Sequence, residues 1–374
     1  MAESSRKSRA KCLAGRRRAA LKAAGCEGAT AALLVGRPVD VSYLSGFGGE
    51  DSMLLVGHGW SVLVTDGRYS EQAEAECPGV ELYVRRQGLP AAVVEALRGR
   101  NVRRLVVQSD HMTLRLRDSL QKELGRRKLA PVADVTGELR AVKDDTEVRA
   151  IRRACRTAEE AFRIVTARGA AGLVGRSERE VAAELDYRMR LAGAEGSSFE
   201  TIVAAGTHGS RPHHRPTDRQ IRRHEAVLVD WGAMVDGYCS DLTRVVFTGR
   251  IPPKLAEVYE VVRRAQEAGV AAIRPGAACK TPDRAARDVI ESAGYGRRFV
   301  HGLGHGLGRE VHEAPALSPR SERRLRKGMV TTVEPGIYLP GVGGVRIEDD
   351  VLVTSGGRRK LSSLPTDLDA AVLH

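Results

Sequence analysis

The sequence predicts a two-domain protein of mixed class, an N-terminal α/β domain over residues 15–140 and a larger α+β domain over residues 141–374. Three observations carry this. From Arg16 to about Arg140, short apolar runs alternate with helical patterns. A long amphipathic stripe then marks a boundary helix. Beyond it, two strand-rich stretches, about Glu200 to Gly249 and about Gly328 to Thr354, repeat one layout. The length of 374 residues agrees, since a chain of this size is long for one core.

Taken in order, residues 1–14 ("MAESSRKSRAKCLA") form a dense basic tail, expected to be disordered. Arg17 and Arg18 in "RRRAALKAAG" superficially suggest a twin-arginine export signal. No long apolar run follows, only Glu27 and the mixed "GATAALLVG", so a first helix and then a strand are expected. "TAALLVG", "SMLLVG", "SVLVTDG", "VELYVRR" and "RRLVVQS" read as strands, and "AAVVEALRG" and "LRLRDSLQKELG" as helices.

In "DDTEVRAIRRACRTAEEAFRIVTARG", Val148, Ile151, Cys155, Ala158, Phe162 and Val165 recur at steps of three and four. They define a long helix with Asp145 or Thr146 as its cap and Gly169 as its end. Ser177 and Glu180 stand at capping-box spacing before another helix. Thr281 and Pro282 predict a cap and first helical residue for a third.

Composition limits what the chain does. Apolar residues make up 42 % but aromatics only 4 %, so alanine, valine and leucine must fill the core. No apolar run approaches the roughly 18 residues that a membrane span needs, and no membrane partner is expected. The six cysteines are scattered, with no CxxC pair and none at zinc-finger spacing from a histidine. They suit a reduced, cytoplasmic protein. The formal charge of +13 comes from arginines spread along the chain without a recognition motif or interleaved aromatics, so no specific nucleic-acid partner is expected.

Each strand-rich stretch reads as a hairpin with one acid on each strand. The first is "AVLVDWG" and "YCSDLTRVVF"; the second is "MVTTVEPG" and "GVRIEDDVLV". Because side chains alternate along a strand, Leu228 and Asp230 share a face, as do Cys239, Asp241 and Thr243, Thr332 and Glu334, and Arg346 and Glu348. Four acids are thus offered inward from strands rich in valine and leucine. For one acid alone, a turn edge or a pairing with Arg244 or Arg346 is the simpler account. Four together are untenable unless cations neutralise them, which points to a polyvalent metal site.

The stretch "FVHGLGHGLGREVHE" adds three of the chain's ten histidines within fifteen residues. Its glycines make a regular helix unfavourable and predict a loop that aims side chains.

The blocks "VDWGAMVDGYCSDLTR", "HGLGHGLGREVHE", "VEPGIYLPG" and "VRIEDD", in this order and spacing, resemble the signature blocks of the Xaa-Pro aminopeptidase and prolidase group of metallopeptidases, which have the pita-bread fold. "VSYLSGFGG", "VTDGRYSEQA" and "ELRAVKDDTEVRAIRRA" resemble that group's N-terminal domain and its junction with the catalytic domain. The resemblance spans nearly the whole chain beyond the tail. It implies a creatinase-like N-terminal domain followed by a pseudo-symmetric pita-bread domain, with a curved antiparallel sheet flanked by helices.

Position by position, the resemblance implies two divalent metal ions held by Asp230, Asp241, His305, Glu334 and Glu348, with Asp241 and Glu348 bridging them. A carboxylate-dominated set with one imidazole suits Mn2+, with Co2+, Fe2+ or Zn2+ as alternatives. His312 matches the histidine that contacts the scissile carbonyl, and Glu334 both binds metal and moves the proton. His301 matches a substrate-pocket position, and Tyr338 is a candidate for the same wall. Arg346 is open between pinning Glu348, binding a substrate carboxylate, and forming an internal salt bridge. The remaining active-site histidine falls in "SRPHHRPTD", where His213 matches and His214 is a competing neighbour. One departure is the usual "GxNS", replaced here by "AGTHGS" with His208 in the asparagine position.

The implied activity is hydrolysis of the Xaa-Pro bond at the N-terminus of a peptide with proline second, by a homodimer. Alternatives on the same fold are a creatinase-type hydrolase, against which the complete ligand set argues, and a non-catalytic binding module, which metal content separates. Methionine aminopeptidases share the catalytic half but lack the N-terminal domain.

Overall fold

The computed structural model describes residues 2–374. It divides into two compact units, Met1–Leu139 and Arg140–His374. The division falls one residue before the expected boundary.

In the first unit, six strands form one mixed sheet in the order Glu81–Arg85, Trp60–Asp66, Met53–Gly57, Ala31–Val35, Arg104–Gln108 and Lys128–Val132. The central three are antiparallel to one another, and the outer pairings are parallel. Alternate residues of the central strands feed different cores: Leu33, Val35, Leu54 and Val56 on one face, Ala32, Leu34, Met53 and Leu55 on the other. All five predicted strands are present. The sixth, Lys128–Val132, carries Pro131 and so reads poorly as a strand. It sits at the sheet edge, where a missing N–H donor costs little.

The basic tail is a correction. Helix Ala2–Ala23 runs through the stretch expected to be disordered. Alanine, lysine and arginine are strong helix formers, and Leu13, Ala20 and Leu21 give the helix a buried side. Arg17 Nη1 also donates to Leu44 O at 2.9 Å.

In the second unit the two strand-rich stretches share one plan. Ala226–Trp231 pairs antiparallel with Leu242–Phe247, and the short strands Ala233–Val235 and Tyr238–Cys239 form a hairpin inserted between them. Val330–Val333 pairs antiparallel with Asp349–Val353, with the hairpin Gly336–Leu339 and Gly343–Arg346 inserted likewise. Each half is therefore an outer pair with a hairpin inside it, one more layer than the simple hairpins expected. A bridge between Thr243 and Glu348 joins the halves, with Glu348 N–H donating to Thr243 O at 3.2 Å.

Two cores flank the strands. Val227, Val229 and Trp231 pack under helix Asp145–Thr166, where Trp231 stacks on Phe162 at 4.5 Å and donates Nε1–H to Ala158 O. Ala226 and Leu228, pointing the other way, pack with Val258, Tyr259 and Val262 of helix Pro253–Ala272. Asp230 follows Leu228 on that second face.

Two predicted caps shift. Helix Asp145–Thr166 is capped by Asp144, one residue earlier than expected. Its carboxylate accepts from Thr146 N–H and Glu147 N–H, and Glu147 returns a bond to the Asp144 N–H. The third helix is Lys280–Ser292 with Cys279 as its cap, because Thr281 N–H already bonds Ala278 O and draws Thr281 into the first turn. Pro282 remains in that turn, where no N–H is needed. The Ser177–Glu180 capping box forms as expected.

Candidate metal centre

Asp230, Asp241, His305, Glu334, Glu348, His213, His301, His312, Tyr338 and Arg346 all line one cavity of about 460 Å³, whereas His208 and Arg244 do not. Asp230 ends one strand, and Asp241 stands between Tyr238–Cys239 and Leu242–Phe247. Glu334 follows Val330–Val333, and Glu348 lies between Gly343–Arg346 and Asp349–Val353. Each acid thus sits at a strand end, where the pleat directs it inward and the backbone stays fixed.

The glycine-rich loop holds a short strand, Gly304–Gly306, where a plain loop was expected. It pairs with Glu313–Leu317 and meets Val330–Val333 at Gly306. A Cβ at Gly304 would collide with the Thr332 carbonyl, and one at Gly306 with the Ala314 carbonyl. Only glycine permits that approach, and it seats His305 between neighbouring strands.

His305 is well oriented. Its Nδ1–H donates to Gly306 O at 3.1 Å, which leaves Nε2 facing Glu334 Oε1 at 3.3 Å and Asp241 Oδ2 at 3.6 Å. Its backbone N–H donates to Thr332 Oγ1, which donates in turn to Glu334 Oε1 at 3.0 Å. Donor atoms of Asp241, His305 and Glu348 all lie within 4.8 Å of one another.

The electrostatics of this set do not balance without a cation. Burial, followed by repulsion from Glu348, Asp230 and Glu334, pushes the Asp241 carboxyl well up. Burial and repulsion from Glu334 and Asp230 push Glu348 up likewise. Burial also raises Asp230, against the pull of Arg346. Burial would raise Glu334 too, but its bond to His305 wins and holds it near 2. Asp230 Oδ1 and Glu348 Oε1 are buried with no hydrogen-bond partner. Buried carboxylate oxygens left open beside an aimed imidazole nitrogen fit a hard divalent cation.

Neighbouring groups hold these acids in place. Arg346 is 3 % exposed; its Nη2 donates to Asp230 Oδ2 at 2.5 Å, Nη1 to Tyr338 OH at 2.8 Å and Nε to Thr243 Oγ1 at 3.1 Å. Arg346 is therefore the partner of Asp230, and Glu348 is held instead by the Thr243 hydroxyl at 2.6 Å. Tyr338 OH, accepting from Arg346, donates to His301 Nε2 at 2.9 Å, and His301 Nδ1–H donates to Gly302 O. Arg244, the other cation considered for these acids, pairs with Asp349 at 2.8 Å.

His312 stands 4.2 Å from the His305 ring, centroid to centroid. His312 is exposed overall, and partial burial of its ring together with the neighbouring His305 lowers its pKa, which favours the neutral ring. The buried Glu313 beside it accepts from Arg140 Nε, Lys143 Nζ and the N–H groups of Arg309 and Glu310.

The two adjacent histidines divide. His213 is near enough to His301 and His312 to add to the lowering that burial imposes on both. His214 is 5 % exposed and bonds Glu178 Oε2 through Nε2 at 2.9 Å. His208 bonds the other oxygen of Glu178.

Sequence reasoning missed Asp350, Cys155 and Glu178. Asp350 Oδ2 accepts from the Asp241 N–H at 3.1 Å and from Cys155 Sγ at 3.2 Å, bracing a candidate ligand from behind. The second aspartate of "EDD" and the cysteine on the helix stripe were its only signals. Glu178 looked like an ordinary first-turn acid.

Comparison with known proteins agrees with this geometry. Residues 149–355 match the model of metallopeptidase family M24, and residues 16–142 that of the Creatinase/Prolidase N-terminal domain. The chain is 39 % identical over 336 residues to the uncharacterized peptidase YqhT of Bacillus subtilis, covering 90 % of this chain and 94 % of that one. It is 34 % identical over 342 residues to the Xaa-Pro dipeptidase of Pyrococcus furiosus, again covering 90 % and 94 %. Among solved structures, an Xaa-Pro dipeptidase from Bacillus anthracis superposes with a TM-score of 0.90 at 34 % identity, over 95 % of this chain and 99 % of that one. An X-Pro aminopeptidase from Thermotoga maritima gives 0.86 at 34 % identity, over 93 % and 98 %. A cavity of inward acids and an aimed histidine, on a fold shared along nearly its whole length with peptidases, places this chain in metallopeptidase family M24.

Proposed function

We propose that the protein hydrolyses the Xaa-Pro bond at the N-terminus of peptides, using two divalent ions held by Asp230, Asp241, His305, Glu334 and Glu348. The observation that carries this reading is the convergence of those five side chains on one cavity, with buried oxygens of Asp230 and Glu348 left unpartnered. The names of the Pyrococcus furiosus and Thermotoga maritima relatives support proline as the residue after the cleaved bond. Mn2+ best suits the donor set, with Co2+, Fe2+ or Zn2+ as alternatives.

When bound, such ions polarise the carbonyl and lower the pKa of water to near neutrality. The chain's own groups do the rest. Glu334 accepts the proton of the attacking water and passes it to the departing proline nitrogen. His312, neutral, donates to the developing oxyanion. Arg346 holds Asp230 and, through Tyr338, sets His301 on the pocket wall with Nε2 engaged. His213 faces the substrate from the opposite loop. Proline has no amide hydrogen and a fixed φ, so a pocket for it needs no acceptor there and tolerates close walls. The six free cysteines support a cytoplasmic setting, and the resemblance to the prolidase group supports a homodimer.

Hydrolysis of Ala-Pro, Ala-Pro-Ala, Ala-Ala and Ala-Ala-Ala with Mn2+ tests the proposal. Cleavage confined to the two proline peptides is expected. Preference for Ala-Pro assigns a dipeptidase, and preference for Ala-Pro-Ala an aminopeptidase. Equal rates on all four remove proline selectivity.

A further inference from the structure

Glu178 opens helix Glu178–Leu191, directly after its cap Ser177. It is fully buried, yet neither oxygen is open. Oε1 accepts from Ala205 N–H at 2.8 Å and bonds His208 Nδ1 at 2.9 Å. Oε2 bonds His214 Nε2 at 2.9 Å and accepts from Thr217 N–H at 3.0 Å and Thr217 Oγ1 at 2.7 Å. Five bonds on one carboxylate exceed what capping the helix needs, and all five come from the segment 205–217.

That segment carries His213. Its far end is also stapled to the start of the helix: Glu178 N–H donates to Arg219 O, Arg179 N–H to Thr217 O, and Gly175 and Ile221 donate N–H bonds to Ile221 O and Arg176 O. The loop is thus fixed at residues 205, 208, 214 and 217; His213 and His214 both line the cavity, and His214 is the one of the two whose ring is bonded to Glu178.

We propose that Glu178 is a positioning residue, acting with His208 and His214 to hold the 205–217 loop so that His213 meets the substrate. This rests on the reading of His213 as a substrate-facing group. It also gives His208 a role, as the second imidazole on the Glu178 carboxylate. The three residues have the composition of a metal site, and their donor atoms lie within 4.8 Å of one another. The carboxylate is already satisfied by donors, however, and no buried oxygen is left open as at Asp230 and Glu348.

The test is a double-mutant cycle on the full-length Mn2+-loaded enzyme with an Ala-Pro peptide: Glu178→Gln, His213→Ala and both together, each with metal content and melting temperature. Glu178→Gln is expected to lower kcat by about 10- to 100-fold, the scale for losing a partner that orients a functional histidine, with KM and bound metal nearly unchanged. The double variant is expected to be no slower than His213→Ala, and Glu178→Asp to recover part of the loss. His214→Gln carries the same cycle should Glu178→Gln not fold. If His213→Ala is impaired but Glu178→Gln is not, or the two losses multiply, the positioning role is overturned and the reading of His213 stands. A wild-type rate for His213→Ala overturns both. Loss of one bound ion on Glu178→Gln, with the cavity ligands intact, overturns the hydrogen-bonded anchor in favour of a metal site.

Discussion

Two clusters in the catalytic unit are built from the same residue types, acids and histidines, and have opposite electrostatics. Glu178 with His208 and His214 is an acid surrounded by donors. Burial alone would raise its carboxyl, but the bonds from Ala205, His214 and Thr217 bring it down to about 2. Asp230, Asp241, Glu334 and Glu348 with His305 are acids surrounded mainly by other acids, and burial drives Asp241 and Glu348 well upward. One cluster is complete as protein. The other leaves buried oxygens of Asp230 and Glu348 open, as a cation site would. Both hold acids and histidines within reach of one another; what tells them apart is the open oxygens, present at Asp230 and Glu348 and absent at Glu178.

Breaking the cation-dependent cluster gives the largest effects. Chelation is expected to abolish activity, with two divalent ions per chain restored on adding Mn2+. Asp241→Asn is expected to lower kcat/KM by roughly three orders of magnitude or more, since the Lewis-acid contribution is worth several kcal/mol. Metal analysis with peptide hydrolysis checks both. Full occupancy of Asp241→Asn at wild-type rates would show that the open oxygens serve another end.

Next is the histidine pair at 4.2 Å. His312→Ala is expected to lower kcat by about two to three orders of magnitude with metal retained, the cost of one oxyanion donor. His305→Ala should lose metal instead. Equal metal loss in both would erase the division of roles.

Arg346→Met removes the only cation bonded to Asp230 among the described residues. Stranding a buried carboxylate in this way costs about 3 to 5 kcal/mol. The metal-free variant should therefore melt well below wild type, and added Mn2+ should recover part of the difference. No recovery would mean that Asp230 does not meet the ion.

The smallest effect concerns the donor-rich cluster. The folded Glu178 carboxyl lies near 2, below its ordinary value of 4.5. Its stabilising contribution is complete above about pH 4.5 and is lost as pH falls toward 2. The melting-temperature advantage of wild type over Glu178→Gln should thus shrink as pH is lowered through that window. An advantage independent of pH from 6 to about 2 would sink the assignment.

Much of the cation-dependent cluster was legible in the sequence. Strand alternation put Asp230, Asp241, Glu334 and Glu348 on inward faces, and glycines around His305 announced a close approach. What could not be read was pairing across long separations. Arg346 was weighed as a partner of Glu348, two residues away, whereas it bonds Asp230, 116 residues away. Glu178 was invisible for the same reason, since nothing local marks an acid whose donors lie 27 to 39 residues downstream. The basic tail failed differently: composition suggested disorder, while Leu13 and Leu21 supplied a buried side. Pro131 hid an edge strand, and the hairpins nested inside each outer pair were too short to register as periodicity.

The bridge between Thr243 and Glu348 joins residues 105 positions apart. During synthesis, Asp230 and Asp241 leave the ribosome long before Glu334 and Glu348 exist. Neither half alone gathers the five proposed ligands, so a chain cut short before Glu348 lacks the complete site. On the proposed ligand set, ion capture waits until the last strands have docked, and reactivity comes only with the finished molecule.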